Sequence, residues 1–402
     1  MNQVRRKRIL FVAEAVTLAH VVRPLVLAQS LDPARFEIHY ASARRYDFVF
    51  DQATFHRWEI NSIASQAFLD ALAGGSRLYS LRTLNKYVEE DLELLDGIRP
   101  DLVVGDFRLS LAVSAPLAKV PYAAIANAYW SPFTAFKHFP LPELPITRLL
   151  SAGLASLLFN VVQPAVFAYH ALPMNKLRQR HGLARLGSLL NVYTAADYTL
   201  YADPVGFFPT RNLPSNHRFI GPIHWAPKIP LPEWWHQLDP EKPVVYVNLG
   251  SSGPSELLHM VTGALAGLPL TAILATAGRW KPSLLPSNIK ASDFLPGDAA
   301  AKRAKLVICN GGSPSVYQAL AQGVPVIGIA SNMDQFLSMS VVERSRTGVL
   351  LRSGSVTEIS LKTTVQRMIA DSRYDLAAQT VAGELKVFDS VSAFRSFIDE
   401  IL

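Results

Sequence analysis

A turn rich in glycine and serine, followed by an acid–amide pair, carries the residues best suited to chemistry. Glycine lets the backbone turn tightly and approach a ligand closely. Serine hydroxyls beside the free N–H groups of a helix N-terminus form a site for an anion such as phosphate. An aspartate and a glutamine can hydrogen-bond the hydroxyl groups of a sugar. The candidate binding residues are Asn310, Gly311, Gly312, Ser313, Ser315, Gln318, Asp334 and Gln335.

This turn needs a strand before it and a helix after it. The apolar run 304–309 predicts a buried strand. A helix over 316–321 follows the serines and is closed by Gly323. A second predicted strand, 325–329, ends shortly before the acid–amide pair. The carboxyl ends of strands in an α/β sheet are the usual place for a ligand. The glycine–serine turn and the acid–amide pair are therefore predicted to belong to one site.

The order of these residues resembles the donor motif of the nucleotide-sugar-dependent glycosyltransferases of the GT-B fold. The resemblance is to the UDP-glycosyltransferase-like group (family 1), which contains plant and macrolide enzymes. That motif runs His-Gly-Gly or His-Cys-Gly, then Ser/Thr, Glu, Gly-Val-Pro and Asp/Glu-Gln. Here the glycines, Ser315, the Gly-Val-Pro at 323–325 and the acid–amide pair match in order and spacing. The alternative is an ordinary turn that binds nothing, since two glycines and a serine are common.

Two positions depart from that motif. Asn310 stands where the family has histidine, and Gln318 stands where many members have glutamate. Both replacements keep hydrogen-bonding capacity but lose a charge. They leave open a non-catalytic GT-B protein that binds a nucleotide sugar or assists an enzyme.

A second glycine–serine turn, 250–253, follows the predicted strand 243–249 and precedes a helix near Glu256. In the family this turn contacts the donor pyrophosphate, and the resemblance assigns that role to Ser251 and Ser252. Simple capping of the helix is the alternative, and it is compatible with anion binding.

Phe294 and Leu295 resemble the place where the family stacks an aromatic ring on the nucleotide base. Phe294 stands where plant enzymes have tryptophan. An aromatic residue at a strand end also fits a core position, so the sequence leaves both interpretations open.

His20 is the candidate general base, and Asp106 is its candidate partner. The family has Gly-His-Val/Ile-x-Pro after its first strand. Ala19 stands in place of the glycine, and His20, Val21 and Pro24 match, with two residues between Val21 and Pro24. A histidine with a near-neutral pKa suits proton abstraction. In the family an aspartate after the fourth strand often orients the histidine, by the logic of the hydrolase triad, and Asp106 stands at the matching place. The alternative is a histidine at a helix start and an aspartate that caps a helix near Leu109.

The sequence has no Asp-x-Asp motif, and the other histidines considered show no metal-ligand spacing such as H-E-x-x-H. We therefore expect a metal-independent reaction with no cofactor, in which a UDP or dTDP sugar is the co-substrate. Helix dipoles and hydroxyls would stabilise the leaving pyrophosphate.

Strand and helix patterns alternate along the chain, which predicts an α/β fold with parallel sheets. The resemblance implies the GT-B plan of two doubly wound, Rossmann-like domains that face each other across a cleft. We expect an acceptor-binding domain at 1–221, a proline-rich linker at 222–242, a donor-binding domain at 243–389 and a last helix at 390–402 that crosses back. The predicted strands are 8–15, 36–41, 102–106, 122–127, 243–249, 271–275, 289–294, 306–309, 326–329 and 348–351.

Composition narrows the class of protein. The chain has 402 residues, half of them apolar, which is enough for two hydrophobic cores. Its single cysteine, Cys309, excludes a disulfide framework and favours a reducing, cytoplasmic compartment. The net charge of +7 comes from scattered basic residues, so we expect no nucleic-acid partner. The basic run 5–8 precedes a predicted strand and not a secretory signal.

The segment 149–172 is strongly apolar, but Asn160, Gln163 and Pro164 interrupt it. We expect a pair of buried or interfacial helices there and not a transmembrane span. The basic excess and this segment leave open a peripheral contact with the inner face of a membrane.

These patterns predict an inverting glycosyltransferase with His20 as general base and a small apolar or aromatic acceptor. The acceptor class follows from the aromatic residues of 129–169, among them Trp130, Phe133, Phe136, Phe139, Phe159 and Phe167. A transferase that acts on a membrane lipid is the alternative within the enzyme class. The sequence does not fix the sugar, the base, the acceptor or the oligomeric state.

Overall fold

The chain forms two compact units. The computed structural model describes residues 5–50, 54–136, 138–144, 152–250, 256–281 and 284–402. The first unit comprises Met1–Phe139, Ala152–Ile223 and Phe388–Leu402, and the second comprises Pro140–Ser151 and His224–Val387.

The first unit is built on a parallel sheet that has seven strands within the described residues, in the order β3-β2-β1-β4-β5-β6-β7. Its strands are β1 (Lys7–Ala13), β2 (Phe36–Ser42), β3 (His56–Glu59), β4 (Leu102–Asp106), β5 (Tyr122–Ala126), β6 (Tyr198–Tyr201) and β7 (His217–Phe219). Its first helices are α1 (Leu18–Gln29), α2 (Ser65–Ala73), α3 (Leu81–Ile98), α4 (Leu111–Ala118), α5 (Ala152–Arg180) and α6 (Leu189–Tyr193). The basic run at the start of the chain therefore leads into a strand, as predicted.

Alternation along β1 explains why both faces of this sheet are covered. Ile9 and Phe11 lie in one buried cluster, whereas Leu10 and Val12 lie in another. Successive side chains of a strand point to opposite faces, so an unbroken apolar run requires a core on each side. Complete burial of each such side chain stabilises the fold by roughly 1.5–3 kcal/mol.

The second unit is built on a parallel sheet in the order β10-β9-β8-β11-β12-β13, six strands within the described residues. These strands are β8 (Val244–Asn248), β9 (Thr271–Ala275), β10 (Ile289–Ser292), β11 (Leu306–Cys309), β12 (Val326–Ala330) and β13 (Gly348–Arg352). The helices are α7 (Glu256–Leu265), α8 (Gly297–Arg303), α9 (Ser313–Ala321), α10 (Met333–Arg344), α11 (Glu358–Ala370) and α12 (Arg373–Leu385). Both units are therefore doubly wound, Rossmann-like sheets.

The last helix, α13 (Ser390–Ile401), belongs to the first unit. Its side chains Phe394, Phe397 and Ile398 are buried in the same cluster as Phe11. Asp389 caps the helix by accepting hydrogen bonds from two backbone N–H groups of the first turn.

The largest difference between the unit boundaries and the sequence-based division is at the segment 140–151. The segment 140–151 was assigned to the first domain, but it clusters with the second unit. Its described part is held there because Arg352 pairs with Glu143 at 2.6 Å and donates to the carbonyl oxygen of Leu141. The proline-rich stretch 222–242 contains a short 3-10 helix, Glu233–Gln237, and the boundary falls just after Ile223.

The apolar segment near residue 160 is one helix and not the expected pair. Helix α5 runs for 29 residues and contains Pro164 and Pro173. Phe159 and Phe167 are buried on either side of Pro164, so packing holds the helix together across the proline. Tertiary packing here overrides the helix-breaking tendency that the sequence suggested.

Candidate functional site

The pairing of β1 with β4 brings the candidate base and its partner together. Ala13 at the end of β1 lies in register with Asp106 at the end of β4. The chain then turns from β1 into α1, whose N-terminal turn contains His20. Asp106 does not cap α4, because that helix begins at Leu111 after Ser110. The helix-capping interpretation of Asp106 is therefore wrong.

His20 and Asp106 form a direct hydrogen bond. The imidazole Nδ1 lies 2.8 Å from Oδ1 of Asp106. An ionised carboxylate can only accept, so Nδ1 carries the proton and Nε2 keeps its lone pair. The His20 side chain is 19% exposed, whereas Asp106 is fully buried. This arrangement presents an accessible imidazole that is able to take up a proton.

Arg23 holds the other side of the Asp106 carboxylate. Its Nε donates to Oδ2 at 2.8 Å and its Nη2 donates to Oδ1 at 2.7 Å, which is a bidentate pair. Its Nη1 donates to Oδ1 of Asn127 at 2.8 Å. Asn127 in turn donates to Asp203, which also accepts from the backbone N–H of Ala128. The carboxylate is thus fixed in orientation by a buried network.

The pKa of Asp106 lies below its ordinary value. Burial alone would raise this pKa, but the positive charge of Arg23 and the hydrogen bonds from Arg23 and His20 outweigh burial. Asp106 therefore stays ionised and keeps the His20 tautomer fixed near neutral pH.

Phe107 separates this network from a second buried ionic cluster. Its backbone is left-handed, with φ of 59°, which is uncommon for a bulky residue. The turn sends Asp106 to one side and Arg108 to the other. The Arg108 guanidinium is fully buried among three carboxylates, those of Glu14, Glu90 and Asp91. Burial raises the pKa of Glu14 and of Asp91 despite the charge of Arg108.

A chain of aromatic contacts extends from His20. The Phe107 ring stacks on the His20 imidazole, with ring centres 4.7 Å apart. Phe107 contacts Tyr193 at 5.5 Å, Tyr193 contacts Trp130 at 5.2 Å, and Trp130 contacts Phe167 at 6.4 Å. An apolar, aromatic wall therefore lies beside the imidazole.

The predicted acceptor residues divide between this wall and other parts of the first unit. Trp130 and Phe167 belong to the wall, and Phe139 packs on Phe167. Phe133 packs on His217, and Phe136 packs on Phe208. Phe159 is buried in the fold.

In the second unit, the glycine turn after β11 has the backbone geometry that the motif requires. Gly311 has φ of 80°, and a Cβ on it would lie 2.8 Å from Met339 of α10. Gly250, at the end of the neighbouring strand β8, has φ of 67°, and a Cβ there would lie 3.2 Å from the Asn310 side chain. Both positions therefore require glycine. Oδ1 of Asn310 accepts from the N–H of Gly312 at 3.0 Å, so this side chain shapes the turn.

Helix α9 starts earlier than predicted, and a glycine caps it. It begins at Ser313 with Gly312 as N-cap, whereas the sequence predicted a start at Val316 after two capping serines. Pro314 has no N–H, and the first-turn N–H of Ser315 has no acceptor within the helix. Ser313 is buried and Ser315 is half-buried. The N-terminus of α9 therefore has a backbone N–H group that could donate to an anion.

The acid–amide pair lies in the first turn of α10. Oε1 of Gln335 accepts from the N–H of Ser331 at 2.8 Å, and Gln335 forms a capping box with Asn332. Its carbonyl oxygen is therefore occupied, and only its NH₂ group could serve a ligand. Asp334 is half-buried. The backbone oxygen of Gln335 is 3.5 Å from the Cβ position of Gly311, so the turn and the pair are neighbours.

The remaining predicted donor residues have different surroundings. Gln318 donates to Asp298 of α8 at 2.9 Å, which links α9 to α8. Phe294 is 41% exposed and not a core residue, whereas Leu295 is buried. Ser251 and Ser252 lie outside the described residues.

One group of side chains in the described part of the chain has the composition of a metal site. Ligand atoms of Glu37, His39 and His56 lie within 4.8 Å of one another. Trp58 donates to Nδ1 of His39, so His39 carries its proton on Nε2 and donates it to Glu37. With its proton on Nε2, the His39 ring offers no lone pair on that atom to an ion.

Sequence reasoning gave no role to Arg23, Asn127, Asp203, Phe107 or Tyr193. Arg23 lies three residues after His20 on α1, and this spacing places both on one helix face. Asn127 directly follows β5, Asp203 lies two residues after the end of β6, and Asp106 is the last residue of β4. These were the signals that could have found them.

The chain matches the family of UDP-glucoronosyl and UDP-glucosyl transferase over residues 155–382. It is 51% identical over 379 residues to a PGL/p-HBAD biosynthesis rhamnosyltransferase of Mycobacterium bovis (strain BCG / Pasteur 1173P2), covering 94% of this chain and 84% of the relative. It is 49% identical over 379 residues to a PGL/p-HBAD biosynthesis glycosyltransferase of Mycobacterium tuberculosis (strain ATCC 25177 / H37Ra), covering 94% and 88%.

A solved structure of the spinosyn rhamnosyltransferase SpnG complexed with thymidine diphosphate is similar in fold. Its TM-score is 0.67 at 16% identity, and the match covers 97% of this chain and 99% of that one. The family match spans more than half of the chain, and the two mycobacterial relatives match almost all of it. The chain belongs to the UDP-glucoronosyl and UDP-glucosyl transferase family and is a glycosyltransferase of the GT-B fold.

Proposed function

We propose that this protein is an inverting glycosyltransferase in which His20 is the general base and Asp106 orients it. The observation that carries the proposal is the 2.8 Å hydrogen bond from Nδ1 of His20 to the buried Asp106. That bond leaves Nε2 as the basic atom of the neutral ring, and the His20 side chain is partly exposed.

The reaction is a single displacement. Nε2 of His20 takes the proton of an acceptor hydroxyl while the acceptor oxygen attacks the anomeric carbon of the donor. The bond from that carbon to the pyrophosphate oxygen breaks, and the nucleoside diphosphate leaves with the electron pair. Attack opposite to the leaving group inverts the configuration of the sugar. Asp106 keeps its charge throughout and stabilises the imidazolium that forms.

The donor is a UDP or dTDP sugar bound to the second unit. The support is the N-terminus of α9 beside the glycine turn of Asn310 to Gly312, with Asp334 in the first turn of the neighbouring helix α10. A helix N-terminus favours the charge that develops on the leaving pyrophosphate, so we propose that no metal ion is needed. The half-exposed ring of Phe294 is a surface on which a base could stack.

The acceptor is a hydroxyl on an apolar or aromatic molecule. The support is the aromatic wall that continues from His20 through Phe107, Tyr193 and Trp130. Stacked and edge-on aromatic contacts favour a flat apolar group beside the imidazole. The relatives are named for PGL/p-HBAD biosynthesis, and we extend that acceptor class to this chain.

The transferred sugar is rhamnose in our proposal. One mycobacterial relative is named a rhamnosyltransferase. The solved structure of SpnG is also that of a rhamnosyltransferase. We also propose a cytoplasmic location, since the single cysteine, Cys309, can form no disulfide within the chain and lies buried as a free thiol.

The test is a transfer assay with the purified protein. UDP and dTDP forms of rhamnose and of glucose are offered with phenolic acceptors of increasing aliphatic length, and products are followed by mass spectrometry. The anomeric configuration of the product is then read by NMR. We expect transfer from a rhamnose donor with inversion.

Retention of configuration would overturn the single-displacement mechanism. Transfer only from glucose donors would overturn the choice of sugar and leave the mechanism in place. Tight nucleotide-sugar binding in calorimetry, without turnover on any acceptor, would support the non-catalytic alternative.

A further inference from the structure

Helix α5 presents apolar side chains to solvent along one side. Leu157 is 70% exposed and Val161 is 80% exposed, and both lie well outside the range of core residues. At about 100° per residue, the exposed apolar positions fall on one side of the helix. We call this the α5 apolar face, and its residues are Leu157, Leu158, Val161, Val162, Ala165, Ala168 and Tyr169.

The opposite side of α5 is anchored in the fold. Phe167, Met174 and Leu177 are buried, and the last two pack in a cluster with residues of α3. By length and composition, Ala155–Arg180 is the one helix among the described residues that could cross a membrane. Spanning a bilayer would expose the anchored side to lipid and break that cluster. If α5 lies along a membrane surface, its apolar side is buried in lipid and its other side stays packed in the fold.

The charged side chains of α5 itself are all basic. Helix α5 contains no aspartate or glutamate, and the exposed Lys176 and Arg180 continue the same side towards its C-terminus. The Arg77 guanidinium lies 4.5 Å from the centre of the Tyr169 ring. A tyrosine and basic residues at the border of an aliphatic surface are typical of helices at a membrane interface. The chain as a whole carries a net charge of +7.

We propose that the α5 apolar face rests on an anionic lipid bilayer. The aliphatic side chains enter the boundary of the acyl chains, while Lys176 and Arg180 contact headgroup phosphates. A symmetric contact between two copies would instead place the cations of one copy against the cations or the aliphatic side chains of the other. Only the lipid surface satisfies both the apolar and the basic part of this face. The inference is independent of the proposed transfer reaction.

The experiment is co-sedimentation of the full chain with lipid vesicles, without donor or acceptor. One set of vesicles is phosphatidylcholine alone, and the other contains phosphatidylcholine and phosphatidylglycerol. The test variant is Leu157→Asp/Val161→Asp. The matched control is Ile359→Asp/Val387→Asp, because both of those side chains are 79% exposed and lie elsewhere on the chain. Circular dichroism and thermal unfolding establish that each variant is folded.

We expect the wild type and the control to sediment with the anionic vesicles. The test variant should bind roughly tenfold more weakly, since two charges replace aliphatic groups at the lipid boundary. Lys176→Glu/Arg180→Glu should reduce the preference for anionic over neutral vesicles on the order of tenfold.

Three results would overturn the proposal. The first is a wild type that stays in solution with both kinds of vesicle. The second is an equal loss of binding in the test variant and in the control. The third is a concentration-dependent dimer, measured by light scattering, that only the test variant abolishes, since the face would then be a contact between copies.

Discussion

The candidate sites of the two units are built from different parts of the chain, although each lies at the carboxyl edge of a parallel sheet. The first unit uses side chains, since His20, Asp106 and Arg23 hold one another through hydrogen bonds of the side chains alone. The second unit uses backbone at the N-terminus of α9, which offers N–H groups, because the N–H groups of Gly311 and Gly312 are already bonded to Cys309 and Asn310. Side chains there, such as Asn310, shape the backbone.

This difference explains where departures from the family pattern are tolerated. A site made of N–H groups keeps its chemistry when the side chain that supports the turn changes, provided that the turn survives. Asn310 supports the turn through Gly312, and Gln318 contacts Asp298 on a neighbouring helix. Neither of these hydrogen bonds requires a charge on Asn310 or Gln318. In our proposal the first site has no such freedom, because a single imidazole carries its chemistry.

The strongest test of the comparison is His20→Ala. Removal of a general base should lower turnover by roughly 10²–10⁴-fold. Donor affinity should be unchanged, since the proposed donor residues belong to the second unit. Steady-state kinetics and calorimetry with the nucleotide measure the two effects separately. His56→Ala is the matched control, since His56 is an exposed histidine on the edge strand β3.

Two outcomes would break this comparison. Full turnover in His20→Ala would remove the imidazole from the mechanism and indicate an acceptor acidic enough to need no base. A parallel loss of donor affinity would show that the two sites do not act separately.

The second prediction concerns Arg23→Met, which leaves the buried Asp106 without its bidentate partner. Removal of one partner of a buried ion pair typically costs about 3–5 kcal/mol in the free energy of unfolding. Urea unfolding measures this cost. The matched control is Arg35→Met, because Arg35 pairs with Asp399 on the surface at 2.7 Å, and such pairs contribute about 0–1 kcal/mol.

Adding Asp106→Asn to Arg23→Met should restore part of the lost stability, since the uncompensated charge is gone. It should not restore activity, because an amide can no longer hold the His20 tautomer. Equal stability of the wild type and Arg23→Met would mean that Asp106 is not held as a charged group by this arginine.

Much of the fold could be predicted because central parallel strands are continuous apolar runs. All strands of the second sheet and four of the first were expected within a few residues. The missed strands β3, β6 and β7 are short and lie towards the edges of the first sheet. His56–Glu59 is mostly exposed and His217–Phe219 is half-buried, so neither has a distinctive apolar pattern.

The candidate site was predictable only where a motif fixed the residue. His20 and Asp106 follow from positions after two strands, and the structure brings them into contact. The spacing of Arg23 from His20 indicates a shared helix face, but the contact of Arg23 with Asp106 also depends on the distance between α1 and β4, which the spacing does not give. Gln335 was expected to hydrogen-bond a ligand, but its carbonyl oxygen takes part in the capping box of α10. Glutamine is common both in capping boxes and in ligand sites, so the sequence alone does not separate the two roles.

The third prediction tests whether the second site depends on backbone. Asn310→Asp keeps an oxygen that can accept from Gly312, so the turn and the thermal stability should be preserved. The new negative charge beside the turn should weaken nucleoside diphosphate binding on the order of 100-fold, from repulsion at about 5 Å in a partly buried site. Calorimetry with UDP and dTDP measures the affinity. Affinity equal to that of the wild type would mean that the diphosphate binds elsewhere.

The smallest expected effect concerns the contrast between the two ionic clusters of the first unit. Three carboxylates surround Arg108, and burial raises the pKa of Glu14 above its ordinary value of 4.5. A carboxyl group with a raised folded-state pKa stabilises the fold below its unfolded pKa. That contribution is lost as the pH rises through the folded pKa. Glu14→Gln removes this titration.

The stability of the wild type relative to Glu14→Gln should therefore fall as the pH rises from about 4 to about 8, by a few degrees of Tm at most. Glu37→Gln is the control of opposite sign. Burial opposes ionisation of Glu37, but hydrogen bonds from His39 and Arg8 lower its pKa below the ordinary value. Glu37 thus contributes stability above its unfolded pKa, and the contribution is lost as the pH falls. Thermal unfolding across pH measures both variants. If both changed with pH in the same direction, Glu14 would be held as a charged partner of Arg108, just as Asp106 is by Arg23, and the two clusters would not differ.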